Sequence, residues 1–95
     1  MLNIGFEVLD TNYYTKYGEI DIIAMKDNTY HFIEVKSIKK DSYIDPIYKI
    51  NRAKLSKIYR SILIYISSKN INTGYCIDVI IVRGNNIDFI KNVTM

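Results

Sequence analysis

Two short charged segments contain the residue types that bind metal ions and stabilise charge on phosphate. The first is Gly18-Glu19-Ile20-Asp21, and the second is Glu34-Val35-Lys36. Side chains alternate along a β-strand, so the two acids of the first segment share one face of a strand. The same alternation places Glu34 and Lys36 on one face of the second segment.

The polar run Lys26-Asp27-Asn28-Thr29 separates these segments and predicts the turn of a β-hairpin. If the strands pair about Asp27-Asn28, Asp21 lies directly opposite Glu34, and Glu19 lies opposite Lys36. An odd number of loop residues would shift that register. Carboxylates directly opposed across two strands have Cβ atoms about 5 Å apart and repel each other. Such an arrangement therefore needs a compensating positive charge.

A hard divalent cation would supply that charge. Mg²⁺ accepts oxygen ligands from one or two carboxylates, completes its shell with water and binds substrate phosphate oxygens, and Mn²⁺ favours similar ligands. We therefore predict Asp21 and Glu34 as ligands of Mg²⁺ (or Mn²⁺). Lys36 would face the same ion and stabilise charge on phosphate, and Glu19 would be a further acid of the site. The alternative is that Lys36 forms simple cross-strand ion pairs with Glu19 and Asp21 on a solvated sheet face.

Positive charge is concentrated directly after these segments. Between Lys36 and Arg60 there are eight basic and two acidic residues, a net charge of +6 in a chain whose total is +3. Tyrosines lie among these charges, a combination that suits a phosphate backbone and unstacked bases. The alternative is a solvated loop and helix face. The predicted nucleic-acid-binding residues are Lys39, Lys40, Arg52, Lys54 and Lys57.

The elements that position these residues are five strands and one long helix in an α/β fold. Apolar residues at helical spacing predict a helix from about Asn51 to Ser68, with a stripe at Leu55, Ile58, Tyr59, Ile62 and Ile66. A strand, a long helix and another strand predict a right-handed crossover and a parallel pair. With the antiparallel hairpin, this gives a mixed sheet. The predicted strands are Phe6–Leu9, Glu19–Met25, Tyr30–Ile38, Tyr75–Val82 and Ile87–Ile90.

Several other kinds of site are excluded by composition. His31 and Cys76 are the only histidine and cysteine, so neither a zinc site of the usual composition nor an internal disulfide is available. By alternation His31 faces away from Glu34 and is expected to be structural or to lie at the surface. Asp78, in an apolar strand, is expected to be a buried carboxylate with a satisfied hydrogen bond. We expect a single cytoplasmic domain over residues 1–95 and no membrane association, because the apolar runs are too short to span a bilayer.

The charged segments and their surroundings resemble the bacterial YraN family, which comprises uncharacterised, endonuclease-like proteins related to archaeal Holliday-junction resolvases. The resemblance implies a restriction-endonuclease-like PD-(D/E)XK core. It also implies that Asp21 and Glu34 are metal ligands, that Lys36 is the catalytic lysine, and that Glu19 is an extra acid of the family. Ile20 stands where the superfamily name has proline. The similar segments are Gly5 to Leu9, Asn12 to Tyr14, Tyr17 to Ala24, Phe32 to Ser37, Asp45 to Tyr48, Lys54-Leu55, Cys76 to Asp78 and Ile90 to Asn92.

Family members usually carry an amphipathic helix before the Gly-Phe pair, and its glutamate is thought to complete the metal site. Here the Gly-Phe pair follows Met1 by only a few residues. We therefore expect one apolar sheet face to lack cover, and the chain either to self-associate or to be less stable than a form extended by such a helix. Resolvase relatives are dimers. Two functions remain open: an endonuclease that acts on DNA, including branched or damaged DNA, and an inactive nucleic-acid-binding module with the same fold.

Overall fold

The structure, a computed structural model, describes residues 5–39 and 52–91, without the side chain of Arg52. These residues form one five-stranded sheet, in the order β1-β2-β3-β4-β5, and one helix. Only β3 and β4 are parallel. The mixed α/β sheet predicted from the sequence is therefore confirmed. Its elements are β1 (Glu7–Thr15), β2 (Gly18–Lys26), β3 (Thr29–Ile38), α1 (Arg52–Lys69), β4 (Tyr75–Arg83) and β5 (Asn86–Ile90).

The β2–β3 hairpin has the predicted register. Its ladder runs from Lys26↔Thr29 to Ile22↔Ile33, and the two turn residues between the strands are Asp27 and Asn28. Both turn residues have positive φ, 51° and 59°, which is the conformation of the two central residues of a type I′ turn. Asp and Asn tolerate this left-handed region because their short polar side chains can bond locally. The turn therefore fixes which strand residues lie opposite each other.

The β1–β2 pairing is interrupted opposite Asp21. Its ladder includes Thr11↔Ile22 and Tyr13↔Ile20 but omits Asn12, which has a φ of 52°. The alternation of side chains changes phase at the same place, because Ile20 packs on the helix side of the sheet and Ile22 packs on the opposite side. Asp21 therefore lies at a local irregularity of β2.

The first strand is longer than its sequence suggested. It was predicted as Phe6–Leu9 and extends over Glu7–Thr15, with a shift in register between Val8 and Asp10. Most of its residues are exposed. Few of them contact the core, so the sequence shows little of the periodic burial pattern on which strand prediction depends.

The two faces of the sheet are packed differently. On one face, α1 covers Ile23, Phe32 and Ile77, and the helix contributes the buried side chains Leu55, Ile58, Ile62 and Tyr65. On the other face, Phe6 and Phe89 pack against a smaller cluster formed by Ile22, Ala24, Ile33 and Ile80. These four residues are at most 8% exposed, so the expectation that this face would be a bare apolar patch was wrong for this cluster. Among the described residues, no helix is long and apolar enough to cross a membrane.

The ladder between β2 and β3 ends at the pair Ile22↔Ile33. The two strands separate beyond it, at the residues that precede Ile22 on β2 and follow Ile33 on β3. Beyond that point β3 continues in its parallel ladder with β4, in which Glu34 pairs with Val79 and Lys36 pairs with Ile81. The charged ends of both predicted segments therefore lie where the hairpin opens.

Candidate metal centre

Glu34 is a buried carboxylate that faces the helix. It follows Phe32 by two residues on β3, so it shares the face covered by α1, and it is only 7% exposed. Its Oε1 lies 2.7 Å from Nζ of Lys54, a residue near the start of α1. The helix therefore supplies a positive charge to a carboxylate that the strand holds out of water.

Asp21 is fixed beside Glu34 by the backbone of β3. Its Oδ2 accepts a hydrogen bond of 2.8 Å from the amide N–H of Val35. This bond crosses the opening between β2 and β3, where the regular ladder has stopped. It places a second carboxylate against the strand that carries Glu34, and the two acids interact. The predicted proximity of Asp21 and Glu34 is thus present, although Asp21 bonds to the backbone next to Glu34 and does not continue the ladder.

The pKa of Glu34 reflects this crowding. Burial is the main cause that raises it, and the negative charge of Asp21 raises it further. Lys54 acts in the opposite direction, through its hydrogen bond and its charge, but does not cancel the effect. The ionised form of Glu34 is therefore held in an environment that disfavours it, which is typical of carboxylates at functional sites.

Glu19 lies at the outer edge of the same group of acids. Its Oε2 accepts a hydrogen bond of 3.0 Å from Nδ2 of Asn12, and this bond is the main cause that lowers the pKa of Glu19. Hydrogen bonds with Tyr14 and Asp21 lower it as well. Asp21 is therefore within reach of both Glu19 and Glu34. Sequence reasoning missed Asn12, and the available signal was an asparagine, a residue that tolerates positive φ, inside a strand.

The donor set suits a cation that needs few protein ligands. Within residues 5–39 and 52–91, no group of three or more His, Cys, Asp or Glu side chains is placed to hold a metal ion. Mg²⁺ is commonly held by one or two carboxylates, with water and substrate phosphate in the remaining positions. Asp21 and Glu34 fit that requirement. The ammonium group of Lys54 contacts Glu34, so this position attracts positive charge.

The predicted basic residues fall into different environments. Lys36 is half-buried and follows Glu34 by two residues on β3, so it shares the face of Glu34. Lys39 and Lys57 are exposed. Lys54 contacts Glu34, and its predicted role as a phosphate contact stays a prediction. Lys40 lies outside the described residues, and so does the side chain of Arg52, although that residue begins α1.

His31 and Asp78 form a separate pair on the opposite face of the sheet. Nδ1 of His31 lies 2.6 Å from Oδ2 of Asp78, which is 1% exposed. The imidazole also contacts the ring of Phe6 edge-to-face, with a centroid distance of 4.8 Å. The expectations of a structural histidine and a buried, satisfied aspartate are confirmed.

Comparison with known proteins gives a consistent result. Residues 1–82 match the model of a family described as "Uncharacterised protein family UPF0102". A UPF0102 protein of Wolinella succinogenes is 42% identical over 93 residues, which cover 98% of this chain and 83% of that protein. A UPF0102 protein of Sulfurovum sp. is 48% identical over 92 residues, which cover 96% of this chain and 80% of that protein. The resemblance to the YraN proteins is thereby confirmed, and the chain belongs to the UPF0102 family.

Proposed function

We propose that the protein is a nuclease that depends on a divalent metal ion and hydrolyses phosphodiester bonds in DNA. The observation that carries the proposal is the pairing of Asp21 with buried Glu34 at the point where β2 and β3 separate. Burial and mutual repulsion make this pairing costly for the fold alone. A bound cation would offset that cost, as it does at carboxylate sites that bind Mg²⁺.

In this proposal Asp21 and Glu34 would hold Mg²⁺ or Mn²⁺, and the bound ion would supply positive charge to the phosphate. Lys36 lies on the same face of β3 as Glu34, and its ammonium group donates hydrogen bonds to phosphate oxygens. Water attacks phosphorus, the P–O bond to the leaving oxygen breaks, and that oxygen takes up a proton while the attacking water loses one. Glu19 lies near enough to Asp21 to restrain its carboxylate.

Lys54 has two roles in this proposal. Without metal, its ammonium group is the counter-ion of Glu34, at 2.7 Å. If Glu34 held a divalent cation, its contact with Lys54 would be weakened, and the Lys54 ammonium group would be available to the phosphate backbone. Replacement of Lys54 by Met should therefore strengthen metal binding while it weakens DNA binding. Lys57→Met, three residues along the helix and exposed, is the matched control and should weaken only DNA binding.

Cleavage of labelled linear, single-stranded and branched DNA in Mg²⁺ or Mn²⁺ tests the function. Glu34→Gln, Asp21→Asn and Lys36→Ala should each lower the rate by about 100-fold or more, because they remove groups that stabilise the transition state. Asp88→Asn, an exposed acid on β5, is the control and should cleave like the wild type. Cleavage that persists in Glu34→Gln, or that needs no divalent ion, would contradict the proposal.

The second candidate is a nucleic-acid-binding module with the same fold and no turnover. One observation favours it: within the described part of the chain no three acids are placed to hold a metal ion together, and Glu34 is ion-paired with Lys54. DNA binding that is retained without cleavage under any metal condition would support this candidate. A homodimer, a cytoplasmic location and a single domain stay predictions, and light scattering would test the first of them.

A further inference from the structure

A groove runs from the candidate centre along the first part of α1. It lies between the helix and the β1–β2 turn, and its volume is about 460 Å³. That volume falls in the range of about 300–1,000 Å³ that is typical of small-molecule sites. The groove shares Glu19 and Lys54 with the candidate centre. Its lining consists of Tyr17, Gly18, Glu19, Ala53, Lys54, Lys57, Ile58 and Ser61.

Two cations lie over the aromatic ring of Tyr17, which lines this groove. Cζ of Arg60 lies 5.5 Å from the ring centroid of Tyr17, and Nζ of Lys16 lies 5.3 Å from it. Basic residues occupy every third position over this part of α1: Lys54, Lys57 and Arg60. Successive members are therefore about 4.5 Å apart along the helix axis. The groove therefore combines a row of cations with one aromatic platform.

The turn that carries Tyr17 is fixed to the helix by a small hydrogen-bond network. Oγ1 of Thr15 lies 2.7 Å from Oγ of Ser61, which is 1% exposed in the middle of α1. The amide N–H of Tyr17 donates to Oγ1 of Thr15 at 3.0 Å, and that hydroxyl donates to the carbonyl of Gly18 at 3.2 Å. Because the proton of Thr15 is used in this bond, Ser61 is the donor to Thr15. The backbone that carries the ring of Tyr17 is thus held against the helix.

We propose that this groove binds one unpaired nucleotide of a nucleic-acid strand, next to the candidate centre. The base stacks on the Tyr17–Arg60 pair, and Lys57 binds the adjoining phosphate. Stacking on an aromatic or guanidinium surface requires a base whose faces are free, so a nucleotide inside an intact duplex does not fit. Only the placement of the strand relative to the cleaved bond rests on the proposed nuclease function.

Binding measurements without metal test this proposal independently of cleavage. In EDTA, fluorescence anisotropy would compare a labelled single-stranded oligonucleotide with its duplex for the wild type, Tyr17→Ala and Tyr17→Phe. Tyr17→Ala should weaken single-strand binding by about 5- to 150-fold, the usual contribution of one stacked base, and should change duplex binding much less. Tyr17→Phe retains the ring and should bind like the wild type. Thermal melting would verify that both variants are folded.

An abasic position moved along the strand locates the stacked base. When the abasic position coincides with the stacked base, binding by the wild type should weaken. The same abasic strand should bind Tyr17→Ala no more weakly than the intact strand does, because the ring and the base then behave as a coupled pair in a double-mutant cycle. The proposal would be overturned if Tyr17→Ala lost affinity equally for single strand and duplex, or lost affinity for neither. It would also be overturned if the wild type did not bind single strands. Failure of cleavage alone would overturn only the nuclease function.

Discussion

Two buried carboxylates, Asp78 and Glu34, lie on opposite faces of the same sheet and are paired in different ways. Asp78 bonds to His31 on the neighbouring strand, so both partners belong to the rigid sheet. Glu34 bonds to Lys54, a long side chain that reaches it from the helix, and it has Asp21 as an acidic neighbour. Asp78 thus has a hydrogen-bonded partner on the next strand, whereas Glu34 has an acidic neighbour in addition to its cationic partner.

This difference bears on how the two carboxylates should respond to mutation. His31, on the adjacent strand β3, holds Asp78, so we expect this pairing to contribute to the stability of the folded state. The environment of Glu34 raises its pKa and opposes its ionised form, mainly through burial. In the proposed metal site, a cation bound beside Glu34 would stabilise that ionised form. The comparison therefore predicts opposite responses of stability and metal binding to mutation.

The largest effect is expected for the stability of Asp78→Ala. Loss of Asp78 leaves a buried cavity and an unpaired His31, so the free energy of unfolding should fall by about 3 kcal/mol, as measured by urea denaturation. Asp88→Asn, an exposed acid on β5, should change it by less than about 0.5 kcal/mol. Mn²⁺ affinity should be unchanged in Asp78→Asn, because this residue lies on the face away from Glu34. Weaker metal binding in Asp78→Asn would contradict the expectation that, of these two carboxylates, only Glu34 takes part in metal binding.

A medium effect is expected in the pH dependence of metal binding. The cation needs ionised Glu34, whose pKa is raised above its ordinary value of 4.5. Below that raised pKa, Mn²⁺ must displace a proton, so its affinity should rise up to about tenfold per pH unit and then level off. Calorimetric titration across this range would measure the slope. In Glu34→Gln the affinity should be low and its slope reduced, and an unchanged slope would assign the titration to another group.

The smallest effect is expected in the pH dependence of stability. Because the pKa of Glu34 is raised on folding, its contribution is fully present below the ordinary value of 4.5 and is lost as the pH rises through the raised value. Glu34→Gln should remove that loss, so the variant should gain stability relative to the wild type as pH rises and reach a constant difference at neutral pH. Urea denaturation at several pH values would measure it. A variant that loses relative stability over this range would show that Lys54 outweighs burial.

Sequence reasoning predicted the hairpin and its register because the signals were local. The polar turn and the alternation of the flanking strands were sufficient to place Asp21 near Glu34. The helix and the parallel pair followed from apolar periodicity in α1 and β4. The full length of β1 was missed because its exposed residues carry no burial pattern.

The contacts of long side chains were not predictable in this way. Helical spacing places Lys54 outside the apolar stripe, but it does not specify that Nζ reaches Glu34 on a strand. Likewise, the Thr15–Ser61 bond joins residues far apart in the chain, and Ser61 gave no sequence signal of its burial. Both contacts depend on the distance between α1 and the sheet, which is a property of the packed fold.

The two-residue turn at Asp27 and Asn28 has a consequence for tolerance to insertions. Exposed turns normally accept added residues with little effect. Here one extra residue would let β3 slip by one position against β2 and turn Glu34 away from the helix face, because side chains alternate with a period of two. Two extra residues would preserve the alternation. This surface turn should therefore discriminate between odd and even insertions, although it lies at the end of the hairpin far from the acids.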